Sequence, residues 1–122
     1  MPAPLKAFIV EDSPVILENL VAALHDLAGV EVVGSVADED GARRQLQSSG
    51  ADLVIVDIFL RQGSGLGVLD TARQLGLPAL VLTNYATPAM RERCAQLGAE
   101  RVFDKSRELD ELMSYCAQRA AS

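Results

Sequence analysis

Residues Leu53 to Leu60 read LVIVDIFL, seven apolar residues around a single aspartate, Asp57. A run of Leu, Val and Ile without polar alternation is the pattern of a strand covered on both faces, as in a parallel sheet with helices on either side. An unpaired carboxylate inside such a strand is costly. Asp57 is therefore expected at the strand's end, partly exposed, with a chemical reason for being there.

Working outward, similar short runs occur at Ala7–Val10, Val30–Val36 and Ala79–Leu82, and weakly at Arg101–Phe103. Segments of helical spacing lie between them. Ile16, Leu20, Leu24 and Leu27 form a stripe introduced by Ser13 as N-cap and Pro14 in the first turn, and stopped by Gly29. Asp40–Ser49 predicts a short second helix, GLGVLDTARQL (Gly65–Leu75) a third, and TPAMRERCAQLGA (Thr87–Ala99) a fourth closed by Gly98. A last helix after Ser106 places Leu109, Leu112, Met113, Cys116 and Ala120 on one face. Asn84 and Gly65 read as loop formers. Strict alternation of strand and helix with short connections implies right-handed crossovers. The fold expected is α/β, a doubly wound five-stranded parallel sheet with five helices.

Composition narrows the function classes. The 122 residues suit one domain spanning 1–122. Eleven basic against seventeen acidic residues, a net charge of -6, leave no basic surface for a phosphate backbone, so no direct nucleic-acid partner is expected. The start, MPAPLKAFIVEDSP, is too short in apolar residues for a signal peptide or a membrane span, which points to the cytoplasm. Cys94 and Cys116 match neither a disulfide framework nor a zinc site and read as reduced, packed thiols. His25 lies in the first helical pattern as a surface or half-buried residue, away from any strand end.

The remaining polar residues carry the chemistry. Glu11 and Asp12 follow the first strand, Asp57 ends the third, Thr83 the fourth, and Lys105 follows the fifth. In an open doubly wound sheet these carboxyl ends share one edge, where ligands bind. Alone, Glu11 and Asp12 would serve as well to favour a helix N-terminus. Together with Asp57 they repel by roughly 4 kcal/mol per pair at an effective dielectric near 20, unless a cation or proton intervenes. Mg²⁺, which prefers all-oxygen ligation, suits such a set. Thr83 and Lys105 are then placed to bind phosphoryl oxygens, with Asp57 as nucleophile forming an aspartyl phosphate.

The turn VEDSP, VIVDIFL with GSG beyond it, VLT, and GAERVFDKS together resemble the receiver domain of two-component response regulators, over essentially the whole chain. The resemblance implies the flavodoxin-like strand order 2-1-3-4-5. It implies Glu11, Asp12, Asp57 and the backbone carbonyl of Phe59 as Mg²⁺ ligands, Asp57 as phosphoacceptor, Thr83 as switch hydroxyl and Lys105 as phosphate clamp. The implied partner is a sensor histidine kinase or histidine phosphotransfer protein. The implied output surface is the fourth helix, fifth strand and fifth helix, engaging an output protein that the sequence does not name. Such a protein is a signalling switch more than an enzyme, and works as a monomer or a phosphorylation-dependent dimer.

Two positions depart from the family pattern. Ser106 stands where Pro usually follows the Lys, often after a cis bond; a trans bond is expected here, with Ser106 capping the last helix. Val102 replaces the inward-turning aromatic, leaving Phe103 or Tyr85 as substitutes. Phe59 and Tyr85, two residues beyond Asp57 and Thr83, are expected to flank the phosphoryl group. Two other readings are a Mg²⁺-dependent phosphohydrolase of the haloacid dehalogenase type and a receiver-like binding module that is never phosphorylated. The first needs a second Asp where Phe59 stands; the intact set of five residues argues against the second.

Overall fold

Alternation along the first strand sets up both halves of the core. In the computed structural model, which describes residues 4–121, β1 (Leu5–Val10) sends Ala7 and Ile9 to one face and Phe8 and Val10 to the other. The remaining elements follow in the order α1 (Pro14–Ala28), β2 (Val30–Val36), α2 (Glu39–Gln45), β3 (Leu53–Val56), α3 (Gly65–Gln74), β4 (Ala79–Thr83), α4 (Pro88–Gln96), β5 (Arg101–Asp104) and α5 (Leu109–Ala121). All neighbouring strands are parallel, in the order β2-β1-β3-β4-β5. The doubly wound five-stranded sheet and its flavodoxin-like order agree with the sequence reading.

Helices α1 and α5 cover the Ala7/Ile9 face, burying Leu20, Leu24, Leu112 and Cys116 against Ile55, Leu80 and Phe103. On the Phe8/Val10 face, Ala42 of α2, Val68, Leu69 and Ala72 of α3, and Cys94 of α4 pack on Val54, Val56 and Val81. Every residue of β3 and β4 is buried, as the unbroken apolar runs require. Each large core side chain contributes roughly 1.5–3 kcal/mol by leaving water. Where β1 meets β2 the register shifts between Ala7 and Phe8, and the Phe8 ring lies against Gly34, where an added Cβ would sit 2.9 Å from it.

The caps read from sequence hold for α1. The Ser13 side chain accepts from the Ile16 N–H, Pro14 opens the helix, and Gly29 closes it at φ 65°, a left-handed conformation suited to Gly. Other details differ. Leu27 is 67% exposed, because Ala28 takes the buried place in the last turn. The second helix begins one residue early, at Glu39 behind an Asp38 cap, and stops at Gln45; Ser49 instead closes a turn by donating its hydroxyl to the Leu46 carbonyl. Gly65 is no loop former: it is the buried first residue of α3. Ser106 does not cap α5, which starts at Leu109. Asp104 holds both the N–H and the hydroxyl of Ser106 at 2.9 Å, drawing it into the preceding turn. The Lys105–Ser106 bond is trans, and among the described residues no peptide bond is cis.

Candidate functional site

The strand order reverses between β2-β1 on one side and β3-β4-β5 on the other, and the carboxyl ends around that point carry the five candidate residues. Backbone bonds fix their starting points. The Glu11 N–H donates to the Val36 carbonyl (3.1 Å), the Asp57 N–H to the Val10 carbonyl (3.0 Å), and the Lys105 N–H to the Thr83 carbonyl (2.9 Å). From the far side of the sheet the Lys105 ammonium reaches back, donating to Glu11 Oε1 at 2.7 Å and Asp57 Oδ2 at 3.0 Å. These are nearly dry pairs, with side-chain exposures of 11% for Lys105, 11% for Asp57 and 3% for Glu11.

Carboxylate oxygens of Glu11, Asp12 and Asp57 lie within 4.8 Å of one another. Three negative charges against the single Lys105 ammonium leave the cluster negative, and its donor set is all oxygen. That chemistry fits a hard divalent cation such as Mg²⁺. The backbone holds one oxygen of each carboxylate: Glu11 Oε2 accepts from the Ser13 N–H (3.0 Å), Asp57 Oδ1 from the Phe59 N–H (3.4 Å), and Asp12 Oδ2 from the Arg61 N–H (2.7 Å).

Asp57 is more enclosed than its place at a strand end suggests. It follows the last residue of β3 and is 9% exposed, not partly exposed, because β1, β4 and the turn into α3 surround it. Burial raises its pKa; the hydrogen bond and charge of Lys105 oppose that, and the neighbouring Glu11 adds to it. For Lys105, burial works against the charged form, but the hydrogen bonds to Glu11 and Asp57 outweigh it and the net shift is upward. At neutral pH the ammonium is retained.

Thr83, the last residue of β4, is fully buried, and its Oγ1 accepts from the Tyr85 N–H at 3.2 Å. Tyr85 is 59% exposed and meets the 52% exposed Phe59 across the site's mouth. The two aromatics expected to flank the site are thus neighbours. Phe103, in contrast, is fully buried beside Tyr115, under the Arg101 guanidinium, and has no room to swing. Of the two substitutes for the missing aromatic at Val102, only Tyr85 is exposed. Val102 itself is half-buried, and its carbonyl accepts from Arg91 Nη1 at 2.8 Å. Arg91 also binds the Ala86 carbonyl and Glu108, linking the loop after Thr83 to the start of α5.

Gly65, read both as a loop former and as the start of the third helical pattern, also shapes the site. A Cβ there would lie 2.1 Å from the Asp57 carbonyl oxygen and 2.6 Å from the Ile58 Cα, so α3 can start against the Asp57 backbone only with Gly. The signal available in sequence was its spacing of eight residues from Asp57. His25 is exposed on α1, with its ring nitrogen against the neighbouring Asp26 at 3.1 Å. Cys94 and Cys116 are free and buried.

Known proteins give the same picture. Residues 7–117 match the response regulator receiver domain. The transcriptional regulatory protein DltR of Streptococcus agalactiae is 34% identical over 112 residues, 90% of this chain and 49% of that protein. A protein-glutamate methylesterase/protein-glutamine glutaminase of Anaeromyxobacter dehalogenans is 29% identical over 109 residues, 85% of this chain but 30% of that protein. The chain thus spans half or less of these relatives. The signal receiver domain of NarL from Mycobacterium tuberculosis has the same fold, with a TM-score of 0.87, 23% identity and 99% of both chains covered. Among the described residues no helix is long and apolar enough to cross a membrane. With the match running from the first strand into the last helix, this chain belongs to the response regulator receiver domains.

Proposed function

We propose that this receiver accepts a phosphoryl group on Asp57 from a phosphohistidine of a sensor histidine kinase or histidine phosphotransfer protein. The observation that carries the reading is Lys105 bridging Asp57 and Glu11 beside Asp12. An Asp57 oxygen attacks phosphorus as the bond to the histidine nitrogen breaks, and that nitrogen keeps the electron pair. Lys105 pairs with one phosphoryl oxygen and the Thr83 hydroxyl donates to another. Glu11, Asp12, Asp57 and the Phe59 carbonyl would hold Mg²⁺, which supplies charge neutralisation to the transferring group when bound.

Drawing Thr83 toward the phosphoryl group alters the loop from Asn84 to Thr87, and through Arg91 the surface of α4, β5 and α5 (Pro88 to Ala120), where an output protein binds. The role is a switch in the cytoplasm, as a monomer or a phosphorylation-dependent dimer, without direct nucleic-acid binding. The esterase activity named for the Anaeromyxobacter protein is not carried over, since the match covers 30% of it. The phosphohydrolase reading is disfavoured by Phe59, which offers no carboxylate for a second acid–base step.

The test is treatment with a small phosphodonor and Mg²⁺, followed by mass spectrometry. One phosphoryl mass on Asp57, acid-labile as an acyl phosphate is and absent without Mg²⁺, is expected. A label that persists in Asp57→Asn overturns the assignment.

A further inference from the structure

Glu39, the first residue of α2, crosses to another element. Its Oε1 accepts from the Ser64 N–H at 2.9 Å, 25 residues on, and its own N–H donates to the Gln62 carbonyl at 3.4 Å. Two glycines make the room. A Cβ on Gly67 would lie 2.2 Å from Glu39 Oε2, and one on Gly63, at φ +79°, would lie 2.5 Å from Glu39 Cβ. The side chain is 20% exposed and also pairs with Arg43 at 2.7 Å. The motif GSGLG (63–67) therefore leaves space for this carboxylate at Gly63 and Gly67, as well as for the Asp57 backbone at Gly65.

The segment Glu39 holds is the one leading out of the site. Between Asp57 and α3 the chain donates Phe59 N–H to Asp57, Arg61 N–H to Asp12, and Gly65 N–H to the Ile58 carbonyl at 2.9 Å. The near end is tied to two of the three clustered carboxylates, and the far end is tied to Glu39. We infer that Glu39 is a positioning residue for the phosphoryl-transfer site: by anchoring residues 62–64 it fixes the Arg61 N–H on Asp12 and the backbone of Phe59. Groups bonded directly to metal ligands typically change metal affinity about 10- to 100-fold on removal. Glu39 acts one link further out, so a smaller effect is expected.

This inference rests on Asp57 being the phosphoacceptor, and the experiment separates the two. The Mg²⁺ dissociation constant is measured by calorimetry on unphosphorylated protein, and phosphorylation rate against Mg²⁺ with a small phosphodonor, for wild type, Glu39→Ala, Glu39→Gln and Gly67→Ala. Glu39→Ala should weaken Mg²⁺ about fivefold, less than the range for directly bonded groups, and speed amide exchange at Arg61 and Ser64 in metal-free protein. Glu39→Gln keeps the acceptor for Ser64 and should restore both. Gly67→Ala, a better helix former that displaces the carboxylate, should reproduce the Glu39→Ala defect without helix loss. Wild-type Mg²⁺ affinity and Arg61 exchange in both Glu39→Ala and Gly67→Ala would overturn the role of Glu39 while leaving Asp57 untouched. A label retained in Asp57→Asn would instead overturn the reading beneath it.

Discussion

The ring of Phe59 meets that of Tyr85 edge on, with centroids 4.7 Å apart and planes at 63°. One ring comes from the segment after Asp57 and the other from the segment after Thr83, so together they roof the mouth of the site. Hydrolysis of an aspartyl phosphate needs a water in line with the bond to Asp57. Neither a Phe ring nor a ring packed edge on against it offers a carboxylate or amide to orient that water. Phe59→Asn and Tyr85→Ala are each expected to shorten the lifetime of phosphorylated protein about fivefold, on the order of 1 kcal/mol of barrier. Decay followed at equal Mg²⁺ checks this; unchanged lifetimes in both variants would show that the pair does not shield.

Burial works against the charged form of Asp57, which costs stability. Burial raises its pKa, so folding favours the protonated form, and the penalty is full once pH lies above the folded value. In metal-free buffer at pH 7, Asp57→Asn should therefore melt higher than wild type. The gain should shrink as pH falls toward 3.8, the ordinary carboxylate value. Thermal melts across that range give the test, and a lower melting temperature for the variant at pH 7 would count against it.

At Gly65 the neighbour is backbone, which cannot turn aside as a side-chain tip can. Gly65→Ala places a methyl 2.1 Å from the Asp57 carbonyl oxygen. The expected cost is about 3 kcal/mol of stability, the upper end for overpacking, with a loss of phosphorylation that excess Mg²⁺ does not repair. Denaturant unfolding and the phosphodonor assay read the two effects separately.

Alkaline pH should destabilise the fold through two groups of the same sign. Burial pushes the Cys116 thiol up to about 11, so the unfolded chain ionises from about 9 while the folded chain keeps its proton. That difference removes up to about 3 kcal/mol as pH climbs through this interval. Lys105, with its folded pKa raised, keeps its contribution below 10.5 and loses it as pH passes the folded value. Cys116→Ala, less stable at pH 7 through lost packing, should show a flatter decline between pH 9 and 11 in denaturant melts.

What the sequence disclosed, and what it hid, follows the range of the forces involved. The Asp57 run and the stripe through Leu20 and Leu24 were legible because burial imposes its period on consecutive residues. The cap at Ser13 was legible because its partner, Ile16, is three residues away. Glu11, Asp12, Thr83 and Lys105 could be placed because a parallel sheet gathers every strand's carboxyl end at one edge. Ser106 misled because two signals competed for it, and Asp104, two residues upstream, bonds both of its donors. Glu39 was hidden because its significance lies in a contact across 25 residues, where nothing local marks the partner, and Gly65 because its spacing of eight from Asp57 does not by itself show how closely the two backbones approach.

Cys94 lies on α4 and Cys116 on α5, in the two separate halves of the core. Among the described residues they are free thiols, and both are fully buried. The protein thus carries its own pair of reporters, one for each side of the sheet. A thiol reagent reaches Cys94 only when the α4 side opens and Cys116 only when the α5 side does. Labelling rates in native buffer, resolved by peptide mass, will show whether the two sides open as one unit or separately. Adding Mg²⁺ and phosphodonor will show which side the switch loosens, without a probe being introduced.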